Sequence, residues 1–170
     1  MAITKLVADS ITSGAIANTP AFFAYRSGSN QTFTDDVNTV MQFNSEEFDT
    51  DNCYNTSTYR FTPNVAGKYL IGFSLDILGQ QNQIINTSGY LNKNGSAHRF
   101  FAFYDTYPNN YGSRVGGRGD CIVEMNGSTD YVDVSIYVNV VGGTSAPYIS
   151  DNSANNSEPR SFFYGYKIIE

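Results

Sequence analysis

This sequence predicts an all-β fold, two antiparallel sheets packed as a sandwich, and three observations carry the prediction. Short apolar runs of alternating pattern recur from Pro20 onward, clusters of Gly, Pro, Asn and Ser separate them, and helical periodicity is hard to find. The composition agrees: 13 Tyr and 12 Phe with no Trp, only 15% charged residues, and abundant Asn, Ser, Thr and Gly suit many short strands joined by turns. At 170 residues the chain fits one domain with a substantial core.

The predicted strands follow in order. AFFAY (Ala21 to Tyr25) leaves Pro20. NTVMQFN (Asn38 to Asn44) leads into the acidic run SEEFDTD, which reads as a solvated loop holding Glu46, Glu47, Asp49 and Asp51. TYRF (Thr58 to Phe61) and KYLIGFSLDI (Lys68 to Ile77) flank a tight turn, in which Pro63 presets the backbone and Gly67 supplies a permissive position. SGYLNK (Ser88 to Lys93) and HRFFAFYD (His98 to Asp105) meet at Asn94-Gly95, a hairpin signal, because a type I′ turn needs positive φ at both central residues. CIVEM (Cys121 to Met125) follows a flexible turn containing Gly116, Gly117 and Gly119. Asn126-Gly127 signals a second hairpin into DYVDVSIYVNV (Asp130 to Val140), and a long polar loop, Gly142 to Pro159, precedes SFFYGYKII (Ser161 to Ile169).

Side chains alternate along a strand, so each run declares its faces. Val132, Val134, Ile136, Val138 and Val140 form a core face, with Tyr131, Asp133, Ser135, Tyr137 and Asn139 wet or lightly covered behind it. Tyr69, Ile71, Phe73, Leu75 and Ile77 likewise lie on one face, backed by a mixed row. In the last strand Phe162, Tyr164, Tyr166 and Ile168 alternate with Phe163, Gly165, Lys167 and Ile169, so both faces require cover. One face then meets the second sheet and the other a neighbouring subunit, which places Phe22, Tyr69, Phe73, Phe162, Tyr164 and Tyr166 in the core or in a subunit interface.

Ten basic residues against sixteen acidic give a net charge of −6, and the basic residues form no stripe, which argues against nucleic acid. No run is long and apolar enough to predict a membrane span, and the first residues lack the continuous apolar stretch of a signal peptide. Cys53 and Cys121 read as buried small hydrophobes, with a disulfide as the alternative.

Taken together and in order, Phe22-Phe23-Ala24, VMQFN, YRFTPNVAGKYLIGFSLDI, YLNKNG, Gly119-Asp120 before an apolar strand and the closing SFFYGYKI resemble the C1q/TNF-type globular head, over about Pro20 to Glu170. That resemblance implies a jelly-roll sandwich that assembles as a homotrimer about an apolar axis. It also implies apical calcium sites, for which Asp105 is the candidate ligand; no other metal or cofactor is expected. The sequence departs from animal relatives in lacking a Gly-X-Y collagen repeat.

Residues 1–19 form an arm ahead of the 20–170 domain. The stretch ITKLVADSITSGAIAN resembles the virion-anchoring leaders of bacteriophage fibre and head-decoration proteins, and Ile3, Leu6, Val7, Ile11 and Ile16 are its candidate contacts with capsid or tail subunits. The expectation is a non-enzymatic structural protein on a virion surface, assembled in the host cytoplasm, as a head-decorating knob or a short fibre tip. A secreted C1q-like recognition domain is the alternative, and a hydrolase a weaker one. Host glycans are the expected ligand, at the loop FYDTYPNNYGSRVGG. There Tyr104, Tyr107 and Tyr111 offer stacking faces, and Asp105, Asn109, Asn110 and Arg114 offer hydrogen bonds.

Against catalysis, the single histidine, His98, reads as a surface residue without a nucleophile beside it, and adjacent Glu46 and Glu47 on an extended chain point apart. The tripeptide Arg118-Gly119-Asp120 reads as turn chemistry rather than an adhesion motif, and sequons such as Asn30-Gln31-Thr32 matter only in a secreted eukaryotic protein.

Overall fold

Every regular element in the computed structural model is a strand, over its described residues 18–80, 83–106, 110–142, 146–149 and 159–168. The strands are β1 (Ala21–Tyr25), β2 (Gln31–Thr32), β3 (Thr39–Val40), β4 (Ser45–Asp49), β5 (Tyr54–Asn55), β6 (Arg60–Phe61), β7 (Gly67–Leu78), β8 (Ile84–Lys93), β9 (Ser96–Asp105), β10 (Arg114–Met125), β11 (Val132–Val140), β12 (Tyr148–Ile149) and β13 (Phe162–Lys167). The first sheet runs β10-β7-β13-β1-β4, with β12 pairing β7 beyond the end of β13 and β2 outside β12. The second runs β5-β6-β11-β8-β9, with β3 also pairing β11. All pairings are antiparallel, and successive strands repeatedly change sheet.

The inward rows meet in one core. Tyr69, Ile71, Phe73, Leu75 and Ile77 of β7 and the valine and isoleucine row of β11 are buried as their alternation requires. At one end the Phe22 ring stacks on Phe61 with centroids 4.4 Å apart and on Tyr54 at 5.0 Å, and it meets the Phe163 edge at 4.9 Å. The buried Tyr54 hydroxyl donates to the Phe43 carbonyl at 2.8 Å, and burial holds it protonated far above the ordinary phenol range. Cys53 is buried and Cys121 half-buried, both as free thiols.

Several expectations give way to the observed pairing. Pro63 does not close a turn between neighbours: the chain crosses there from β6 in the second sheet to β7 in the first, so Phe61 and Tyr69 meet edge to face across the core at 5.6 Å. Asn94 (φ 53) and Gly95 (φ 78) form the expected turn of the β8–β9 hairpin. Asn126-Gly127 does not form a hairpin, because β10 and β11 lie in different sheets. Asn126 Oδ1 instead accepts from the backbone of Ser128, Thr129 and Asp130, and Gly127 (φ 71) lies where a Cβ would sit 2.2 Å from Ala66 N. The acidic run SEEFD is edge strand β4 rather than a loop, held to β1 by the Phe23–Phe48 register, with Glu46 and Glu47 exposed and Asp49 half-buried. Of the predicted strand at residues 38–44 only Thr39–Val40 is regular, although Met41 and Phe43 are fully buried. Of TYRF, only Arg60–Phe61 is strand, since Tyr59 (φ 61) belongs to the turn from β5.

The largest difference is β10, which begins at Arg114, so the glycines read as a flexible turn are mid-strand. At Gly117 and Gly119 their role is space. A Cβ on Gly117 would lie 2.2 Å from Phe103 Cγ, and one on Gly119 would lie 2.6 Å from the Phe101 ring, so the β9 phenylalanines rest directly on the β10 backbone. The Arg118-Gly119-Asp120 tripeptide is thereby held extended, with its outer residues exposed. Gly117→Ala should lower stability by about 1–3 kcal/mol in urea titration through overpacking. In a double-mutant cycle with Phe103→Ala much of that loss should vanish, and additive losses would show that the ring is not the obstacle.

Candidate assembly and recognition surfaces

The outward rows of the first sheet are built by register. One row runs Ile122, Leu70, Tyr166 and Ala21; the next Asp120, Gly72, Tyr164, Phe23 and Phe48; the third Arg118, Ser74, Phe162, Tyr25 and Ser45. Gly72 leaves the space that the Tyr164 ring occupies. Phe48, Phe23, Phe162 and Tyr164 form a continuous ladder of rings, with successive centroids 6.4, 5.2 and 6.2 Å apart. Ile122 (56% exposed) and Tyr166 (37%) stand uncovered beside it, and Phe48 within it is 48% exposed. Phe23, Phe162 and Tyr164 line a hollow of about 420 Å³ with Arg118 and Asp120. This face is far more apolar than solvent exposure alone explains.

Next to it lies an open depression of about 710 Å³ with a cationic wall of Arg114, Arg118 and Arg160. Asp76 accepts from Arg114 Nε at 2.7 Å and from its terminal nitrogen, and lies 3.6 Å from Arg160. That hydrogen bonding raises the Arg114 pKa and fixes its fork.

The six core-or-interface candidates therefore divide. Phe22, Tyr69 and Phe73 are buried between the sheets, whereas Phe162, Tyr164 and Tyr166 lie on the outer face.

The tyrosine-loop candidates also separate. Tyr104 and Asp105 close β9, and the Tyr104 hydroxyl donates to the Asn110 carbonyl at 2.7 Å. Tyr111 is half-buried and Asn110 exposed in the connection to β10, while Arg114 belongs to the cationic wall of the other sheet. Tyr107 and Asn109 lie outside the described residues, as do Ile3, Leu6, Val7, Ile11 and Ile16 of the arm. Asp105 is exposed, and among the described residues no three His, Cys, Asp or Glu side chains converge as a metal site. No helix there is long and apolar enough to cross a membrane.

His98 is half-buried rather than a surface residue, its Nε2 closed off without a hydrogen-bond partner. Burial, then Arg99 and Lys93, lower its pKa. In the acidic run, Asp49 Oδ2 accepts from the Tyr54 amide at 2.8 Å and Asp51 Oδ2 from the Thr50 hydroxyl at 3.0 Å, so two of the carboxylates organise the turn after β4.

Sequence reasoning passed over Tyr90, Phe100 and Asn86, which stand beside Tyr137 on the outer face of the second sheet. Their signal was the outward parity of β8 and β9, which needs the register of three strands before it describes a surface.

No family model matches the chain, and no curated protein matches it in sequence. Solved structures do. The globular domain of the zebrafish complement 1qA protein matches with a TM-score of 0.58 at 17% identity, over 88% of this chain and 98% of that one. The Eiger TNF of S. frugiperda matches with 0.58 at 10% identity, over 87% and 91%, and murine APRIL with 0.54 at 10% identity, over 87% and 98%. With its two antiparallel sheets and its changes of sheet between successive strands, the chain has the C1q/TNF jelly-roll fold.

Proposed function

We propose that this protein is a non-enzymatic, homotrimeric knob on the surface of a bacteriophage particle, a head decoration or a short fibre tip, that touches host-surface glycans. The observation that carries the assembly is the ring ladder on the outer face of the first sheet, flanked by exposed Ile122 and Tyr166. An apolar face of this kind, bounded by the arginine wall, has the anatomy of an interface with an aromatic centre and a polar rim. The non-enzymatic reading is supported by His98, half-buried with its Nε2 closed off, and by carboxylates occupied in a turn. The virion reading rests on the resemblance of residues 1–19 to phage leaders. The likeness to a complement domain favours a second reading, a secreted recognition module.

Mass spectrometry of purified particles should detect the chain at a copy number that is a multiple of three. Deleting residues 1–19 should leave a folded trimer that no longer joins particles, because three arms on one knob bind by avidity. A truncated protein that still co-purifies at full copy number would place docking in the knob. Absence of the full chain from particles would turn the argument to the secreted reading.

A further inference from the structure

On the sheet opposite the ring ladder, three cross-strand rows build a second surface. Ser135, Tyr90 and Phe100 lie side by side, then Tyr137, Ser88 and Ala102, then Asn139, Asn86 and Asp105. The middle row is low at Ser88 and Ala102 and high at Tyr137, so the sheet carries a trough of about 290 Å³. Tyr90 and Phe100 wall one end with ring centroids 5.3 Å apart, and Tyr104 with Asp105 and Asn86 closes the other. Two walls are pinned. The Tyr137 hydroxyl donates to the Asp36 carboxylate, and the Tyr104 hydroxyl donates to the Asn110 carbonyl. Phe100 is 60% exposed, a large ring left bare above the trough.

We propose that this trough binds one neutral pyranose unit of a surface glycan, which deepens the recognition half of the proposed function and rests on it. A sugar ring has a face of polarised C–H bonds and an edge of hydroxyls. The negative faces of Phe100 and Tyr90 match the first, and Asn86, Ser88 and Asp105 supply acceptors and donors for the second. The volume lies at the lower limit of small-molecule sites and suits a single ring. Asp105 and nearby Asp36, on a chain of net charge −6, disfavour a phosphate or carboxylate ligand. Because the first sheet carries the assembly face, a trimer presents three such troughs outward, and weak single sites add by avidity.

The test uses the full-length protein, an array of bacterial surface polysaccharides, and saturation-transfer NMR with the methyl glycosides of glucose, galactose and N-acetylglucosamine. The unchanged protein should bind at least one neutral sugar. Phe100→Ala should weaken that binding at least tenfold, and Ala102→Trp, which fills an exposed floor position, should abolish it, with circular dichroism unchanged in both. Binding of no neutral sugar by the unchanged protein, or undiminished binding by either variant, overturns the proposal. Light scattering on the same samples reads assembly separately: a monomer that binds sugar through the trough would sink the trimer and leave the trough standing.

Discussion

Tyr166→Asp should yield a folded monomer where the unchanged chain gives a trimer by light scattering at micromolar concentration. Tyr166 is outward-facing on β13 and partly exposed in the single chain, so an aspartate there is hydrated in the monomer and costs the isolated fold little. In an assembly that buries the ring ladder, each subunit contributes a carboxylate without a partner, at several kcal/mol apiece. Phe48→Asp on β4 should act the same way, since Phe48 is also outward and uncovered. A trimer that survives both changes would move the interface off this sheet. An unchanged chain that is already monomeric and folded would remove the basis for assembly altogether.

Phe163→Ala should cost about 3–5 kcal/mol of stability, the range for truncating a fully buried aromatic ring. The ring meets Phe22 edge on at 4.9 Å, stacks on Phe43 at 5.7 Å and meets the Tyr54 edge at 6.0 Å, so its loss opens a void among partners fixed by both sheets. A cost that large is a big fraction of a typical domain's stability, and the urea midpoint should fall accordingly. Phe162→Ala, one residue away on the outer face, should cost the monomer much less and the trimer more. Equal losses at the two positions would mean that both faces of β13 are equally buried within one chain.

Period-two alternation needs no partner to be seen, so the sequence separates Phe162 from Phe163, but which of them faces the core takes the second sheet to decide. Alternation is plainest in β7 and β11, whose inward rows are long and unbroken. It fails where a strand's reason lies elsewhere in the chain. Gly116, Gly117 and Gly119 resemble a turn until Phe103 and Phe101 from β9 are laid on the second and third of them, and β4 resembles a solvated loop until Phe23 pairs with Phe48. Two-residue strands such as β2, β5 and β12 carry no period at all. Asn-Gly declares a turn but not its destination, which is why Asn94 marks a hairpin and Asn126 a crossing between sheets. The outer-face aromatics were legible for the same reason as the core. The trough on the second sheet was not, since it takes outward residues from three strands and exists only once their registers are aligned.

The pairing of β1 with β13 joins Ala21 to Tyr166 and Tyr25 to Phe162, the two ends of the domain. Until residues 162–167 leave the ribosome, the first sheet lacks the strand that separates β1 from β7, and Phe22 lacks the ring that meets it edge on. Folding must then await β13, and such long-range closure is slow. Nascent chains stalled before Phe162 should be protease-sensitive and should engage holding chaperones through their unpaired aromatic strands. Emergence of β13, rather than of any earlier hairpin, becomes the event that commits the domain to its native topology.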